Sequence, residues 1–180
     1  MLREREMRFA SPLAFSALST LVGLVGLVAL GGCSPSSGSG SSSGSSCVDY
    51  APPAGFDANT PSVSFANDVM PIFGQSCAFS TCHGSSTGPA NGVFLGKDPA
   101  RVYAAIVGVR GDELQSMPFV TAGDPRQSYL MRKMDGSQCA LDAMCTGGTC
   151  QGSMPKNEDL LDLPTRDIVR RWIAQGAKND

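Results

Sequence analysis

Cysteine constrains this chain more than any other residue type. Seven cysteines stand against a single histidine in 180 residues. Apolar periodicity is confined to short segments, so the core is thin, and a small domain with a thin core recruits disulfides, a metal or a cofactor. One histidine excludes any zinc site that needs two imidazoles, and it excludes the paired-histidine metalloprotease motif. Lys and Arg number 14 against 16 Asp and Glu, and the resulting net charge of −2 lacks the basic footprint of a nucleic-acid-binding protein.

The first cysteine belongs to an address rather than to a fold. Arg3, Arg5 and Arg8 form a positive end, partly offset by Glu4 and Glu6, and an almost uncharged run follows from Phe9 to Leu30. This is the pattern of a secretory signal, which predicts a signal peptide over residues 1–32. Translation from Met7 in place of Met1 would give that pattern a cleaner start. Leu30-Gly31-Gly32-Cys33 resembles the lipobox of bacterial lipoproteins, which implies that Cys33 is acylated and becomes the first mature residue. An ordinary secreted protein and an uncleaved anchor are the alternatives, since the apolar run is long enough to span a bilayer. Residues 33–46 continue as a tether with nine Ser, three Gly and one Pro after Cys33. Such a stretch is a flexible coil with a span on the order of 20 Å. The expected location is extracytoplasmic, on a bacterial membrane, held by lipid.

Residues 47–180 remain for one small domain. The periodic segments are helical and short, and no alternating strand of useful length occurs. Asn67-Asp68 is expected to cap a helix through Val69, Ile72 and Phe73 toward Cys77, with Pro71 in its first turn. Asp98-Pro99 is a capping pair that leads into Val102, Tyr103, Ile106 and Val107, with Gly108 as the stop. Asp124-Pro125 repeats that signal ahead of Tyr129, Leu130 and Met134, with Gly136 as the stop. Pro164 opens a last helix whose stripe is Ile168, Val169, Trp172 and Ile173, ended by Gly176. Residues 84–97 and 135–163 are long Gly/Pro/Ser-rich connections. The fold class is therefore all-α, with long irregular loops.

Cys77-Ala78-Phe79-Ser80-Thr81-Cys82-His83 places two thiols and the only imidazole within seven residues. Covalent haem attachment needs that set, with two sulfurs for the vinyl groups and an adjacent histidine for the iron. The usual spacing is C-x2-C-H, whereas this chain has C-x4-C-H. A Cys77–Cys82 disulfide, or a zinc site with three cysteines and one histidine, would use the same residues differently.

The surrounding chain carries a resemblance. Phe65-Ala66-Asn67-Asp68-Val69-Met70-Pro71-Ile72-Phe73, then Cys77, Cys82-His83-Gly84 and Gly92-Val93-Phe94-Leu95 are similar to planctomycete-type, class I-like monohaem cytochrome c domains. The likeness continues through Ala122-Gly123-Asp124-Pro125 with Ser128-Tyr129-Leu130, then Gly152-Ser153-Met154-Pro155, and on through Ile168 to Ala177. It implies a small helical cytochrome domain over residues 47–180 that carries one covalent haem c. Cys77 and Cys82 would form the thioethers, and His83 would be the proximal ligand. Met154 matches the distal methionine of the family, and Met117, also followed by Pro, is its rival. Met131 and Met134 are expected in the core. Phe73, Leu95, Tyr129, Leu130 and Trp172 are expected to cover the porphyrin, and Trp172 and Ile168 to pack on the first helix.

Cys47, Cys139, Cys145 and Cys150 are then left over. Four cysteines permit three connectivities. We expect two bridges, one of them returning Cys47 to the loop before Met154; a three-cysteine metal site is the alternative. The function expected is non-enzymatic: a membrane-tethered one-electron carrier that meets a redox protein partner. A haem sensor or peroxidase with an open sixth position is a second possibility. A cofactor-free, disulfide-stabilised surface lipoprotein that acts as a binding module is a third. Arg166, Arg170, Arg171 and Lys178 could face an acidic partner or simply form a solvated face. Glu158, Asp159 and Asp162 need no catalytic explanation.

Overall fold

A computed structural model describes residues 47–180; the expected signal peptide over 1–32, the expected acylation at Cys33 and the expected tether through residue 46 lie outside the described residues. Ser64 starts the first helical stretch. Its hydroxyl accepts the Asn67 N–H at 3.2 Å, while the Asp68 carboxylate accepts the Ser64 N–H at 2.8 Å. The cap is thus a reciprocal pair one turn before Asn67-Asp68, the site expected from sequence, because Asp68 is engaged in closing back on Ser64. A π-helical turn, Phe65–Val69, runs into α1 (Met70–Ser76), with Pro71 in its first turn.

The Asp-Pro signal holds at α2 (Pro99–Ile106), where Asp98 accepts the Arg101 N–H at 3.2 Å. At Asp124-Pro125 it does not start a helix. The Asp124 carboxylate accepts the Gln127 N–H at 3.0 Å and closes a turn, and α3 (Tyr129–Met134) begins only after Ser128. Asp162 caps α4 (Leu163–Ala174) by accepting the Thr165 N–H at 2.7 Å, with Pro164 in the first turn. Gly108, Gly136 and Gly176 follow their helices in left-handed backbone, as the stop signals require. Among the described residues there is no strand, only the isolated bridges Val107–Val120 and Arg110–Pro118. The all-α class therefore stands. No helix among these residues is long and apolar enough to cross a membrane.

The main core forms where the first helical stretch, α2 and α4 meet. The Phe65 ring stacks on Trp172 at 4.9 Å and meets Tyr103 edge-on at 5.6 Å, contacts worth about 0.5–1.5 kcal/mol each beyond burial. Val69, Phe73, Val102, Ile106, Val169 and Ile173 complete it. Trp172 donates its indole N–H to the Lys178 carbonyl at 2.8 Å, so its role is structural. A smaller cluster gathers Leu114, Met117, Tyr129 and Leu141 around a second disulfide.

That disulfide joins Cys145 to Cys150, and the other joins Cys47 to Cys139. Two bridges form, with Cys47 returned to the loop before Met154, and the three-cysteine metal site is ruled out because its sulfurs are bonded in pairs. The Cys47–Cys139 bridge spans a sequence separation of 92, and closing so long a loop constrains the unfolded chain by roughly 4–5 kcal/mol in the entropy model. Asp49 reinforces it. Hydrogen bonds from Arg132 and then Arg126 hold the Asp49 carboxyl well below the usual carboxylate range.

Arg166 and Arg170 are paired inside the domain. Both grip Asp135, Arg166 at 2.5 Å and Arg170 at 2.6 Å, and the Arg170 side chain is only 1% exposed. Arg170 also pairs with Asp167 at 2.9 Å and reaches the Tyr50 hydroxyl. Arg171 is turned to the Asp57 carbonyl at 2.9 Å. Removing the Asp135 charge would leave the buried Arg170 guanidinium with Asp167 as its remaining counter-charge. Asp135→Asn is therefore expected to destabilise the fold by about 1.5–3 kcal/mol, read as a drop of roughly 5 °C or more in the thermal midpoint.

Candidate functional site

At the end of α1 the chain must turn back sharply, and backbone hydrogen bonds do the turning. The Cys77 and Ala78 N–H groups both bond the Phe73 carbonyl at 2.8 Å, which closes the helix. The Cys82 N–H then bonds the Phe79 carbonyl at 2.9 Å and the Gly84 N–H bonds the same oxygen at 3.0 Å. Phe79 to Cys82 is thus a tight turn. Residues 79–81 of this turn are exposed, Phe79 at 55%, although Phe79 and Thr81 still border the cavity between the two cysteines. Inside the turn the His83 N–H returns to the Cys77 carbonyl at 3.2 Å. The longer spacing therefore still gathers both sulfur-bearing residues and the histidine at one place.

The imidazole is anchored as well. His83 Nδ1 lies 3.1 Å from the Val93 carbonyl. A carbonyl can only accept, so Nδ1 carries the hydrogen and Nε2 keeps its lone pair, the state a metal ligand needs. Burial holds the imidazole below the ordinary histidine pKa, which favours the same neutral form. The Leu95 N–H bonds the His83 carbonyl at 2.8 Å, so the 93–95 segment grips the residue twice.

These residues line one cavity of about 310 Å³, or about 1340 Å³ with its open mouth counted. The smaller figure lies at the lower end of the range for ligand pockets, roughly 300–1,000 Å³. Cys77, Cys82, His83 and Met154 all line it, together with Leu95, Tyr129 and Leu130. Cys77 and Cys82 are the free cysteines among the described residues. Burial, helped by the neighbouring Cys82, pushes the Cys77 thiol up to about 11, so it stays protonated at neutral pH. No group of three or more His, Cys, Asp or Glu side chains among the described residues is arranged to hold a metal ion.

Several expectations about the cavity need correction. Phe73 and Trp172 lie fully in the main core, packed on Val69 and Phe65, and do not line it. Met117 is buried in the disulfide cluster and does not line it either, which separates it from Met154. Met131 is core filling as expected, whereas Met134 belongs both to the core and to the cavity wall.

The sequence reading missed Glu113 and Lys133. Lys133 Nζ is 3.0 Å from Glu113 Oε2, with the two side chains 8% and 15% exposed, and the Tyr129 hydroxyl donates to the same carboxylate at 2.7 Å. All three line the cavity. No local pattern marks the pair, because the partners lie on different segments and only the fold brings them together. Burial, with the Glu113 carboxylate beside it, raises the Tyr129 phenol far above its ordinary range.

Gly84 closes the turn under a hard steric limit. A Cβ at this position would sit 2.0 Å from the Ala78 carbonyl oxygen, a backbone atom that cannot rotate away. Gly84→Ala is therefore expected to cost about 1–3 kcal/mol by forcing the Cys77–His83 loop open. Thermal unfolding gives the loss of stability. Faster alkylation of Cys77 in the haem-free variant than in the haem-free parent gives the opening.

Compared with protein-family models, with curated proteins and with solved structures, the chain matches none, and its functional reading comes from its own side chains.

Proposed function

We propose that this chain is a c-type cytochrome: an electron carrier, not an enzyme, that holds one haem covalently through Cys77 and Cys82. One observation carries the reading. Two unpaired cysteines, the adjacent neutral histidine and Met154 line a single, largely apolar cavity, while the other four cysteines of the described domain are paired with each other. The ordered resemblance of residues 63–177 to planctomycete-type cytochrome c domains points the same way. A structural Cys77–Cys82 bridge is disfavoured, since both sulfurs are free where a bond would be the simplest outcome.

A haem held in this cavity supplies one-electron chemistry at its iron. The chain's contribution is to bind and tune it. Cys77 and Cys82 would hold it through thioether bonds, each thiol contributing its sulfur and its hydrogen to one vinyl group with no net oxidation. His83 would hold the iron through Nε2, its ring fixed by the Val93 carbonyl. Met154 offers a thioether, a soft ligand that favours the ferrous state and raises the potential. Leu95, Leu130 and the Tyr129 ring exclude water and make the ferric charge less favourable. If His83 and Met154 both held the iron, no position would be left for a substrate, which is why a carrier is proposed ahead of a sensor or peroxidase. The signal sequence, Cys33 and its tether put this carrier outside the cytoplasm on a lipid anchor, where it would exchange electrons with a redox protein.

Secreted through the c-type maturation pathway, residues 33–180 are expected to keep peroxidase-active haem on a denaturing gel, and Cys77→Ala with Cys82→Ala to abolish it. In the loaded protein Met154→Ala should convert the iron from low to high spin and lower its potential, whereas Met117→Ala should leave both unchanged. Haem-free but folded wild-type protein would sink the reading, and a spin change on Met117→Ala alone would reassign the sixth ligand.

A further inference from the structure

Lys133 places an ammonium in the wall of the cavity with almost no access to water, its side chain 8% exposed. Burying an ammonium carries a penalty of several kcal/mol even after relaxation, so its partners indicate what the fold gains. Its Nζ pairs with Glu113 and donates to two carbonyls, those of Cys150 and Gly152, the latter at 3.2 Å. Its own main-chain carbonyl accepts the Met154 N–H at 2.9 Å. One residue of α3 therefore holds both ends of the 150–154 segment, with its side chain on the first part and its backbone on the methionine. The remaining restraints act at Cys150 and Gln151: the disulfide to Cys145, the Asp142 carboxylate that accepts the Cys150 N–H at 2.7 Å, and the Gln138 side-chain amide that donates to the Gln151 carbonyl at 3.2 Å. Beyond Gln151, at Gly152 and Met154, the Lys133 contacts fix the path. Glu113 is itself held by the Tyr129 hydroxyl, so the clamp is braced from behind.

We propose that Lys133 is a positioning residue for Met154, clamping the 150–154 segment so that the thioether is presented to the iron. This deepens the haem reading and depends on it. The charge of Lys133 is also felt at the imidazole: burial is the chief cause of the lowered His83 pKa, and the Lys133 ammonium adds to it. Glu113 is the facing acid, and Lys156 and Glu158 are the other charged side chains around the cavity.

The test uses the haem-loaded chain and the haem-free chain in parallel. Lys133→Met alone would leave Glu113 buried without its counter-charge and could unfold the domain. The informative variant is therefore Lys133→Met with Glu113→Gln, which removes both charges and keeps the apolar stem. Covalent haem should persist on the denaturing gel, while the thioether-to-iron charge-transfer band of the ferric protein is lost and the potential falls. In the haem-free protein, amide exchange at Met154 should speed up at least about tenfold, the factor expected on losing a hydrogen bond to a charged group. Glu113→Gln alone leaves the carbonyl contacts of Lys133 in place and should keep the band. A haem-loaded double variant with the band, the potential and the Met154 exchange all unchanged overturns this proposal alone. Wild-type protein without covalent haem overturns the haem reading, and the ligand role of Met154 falls with it.

Discussion

The hydrogen bond from His83 Nδ1 to the Val93 carbonyl organises the cavity. It fixes the tautomer, aligns the only imidazole of the chain and ties the Cys77–His83 turn to the 93–95 segment. Without it the turn would close through main-chain bonds alone. The opposite wall depends on α3, which contributes Tyr129, Leu130, Lys133 and Met134 to the cavity and takes the Met154 N–H on its own backbone. The two walls come from segments far apart in sequence, and the main core holds them together by packing the first helical stretch, α2 and α4 around Phe65 and Trp172.

Sulfur is used in three distinct ways. The Cys47–Cys139 bridge fastens the start of the domain to the loop after α3, and Asp49 with Arg132 and Arg126 adds a charged seam beside it. The Cys145–Cys150 bridge tightens the loop that precedes Met154. Cys77 and Cys82 stay free inside the cavity. Four cysteines thus stiffen the frame where the apolar core is thin, and two stay unpaired. In an oxidising compartment neighbouring thiols tend to pair, so a free pair beside a histidine calls for a functional explanation, and covalent haem provides one.

Local signals were legible where the chain obeys them locally. Asp98-Pro99 and Pro164 mark helix starts, and in the structure Asp98 and Asp162 each accept the N–H three residues on. Asp124-Pro125 reads the same in sequence, yet its carboxylate closes a turn and the helix waits for Tyr129. The Ser64 cap could have been found from its reciprocal partner Asp68, four residues away. Cys77, Cys82 and His83 stood out by residue type and proximity, whereas Met154 was singled out only by the family resemblance; the structure sets all four on one cavity. Lys133, Glu113 and the Asp135–Arg170 pair were not legible, since a lysine or arginine on a helix reads as solvated until its distant acid is known. Phe73 and Trp172 were misplaced for a related reason. Apolar periodicity shows that a side chain is buried but does not say whether it meets a core or a ligand.

The most direct measurement is mass spectrometry of the mature protein made with the c-type maturation machinery, digested without reduction. The account predicts that the peptide spanning residues 77–83 carries one haem bonded to both cysteines, and that neither thiol is alkylated. Cys77 and Cys82 recovered as free thiols, or joined to each other, in folded protein would contradict it.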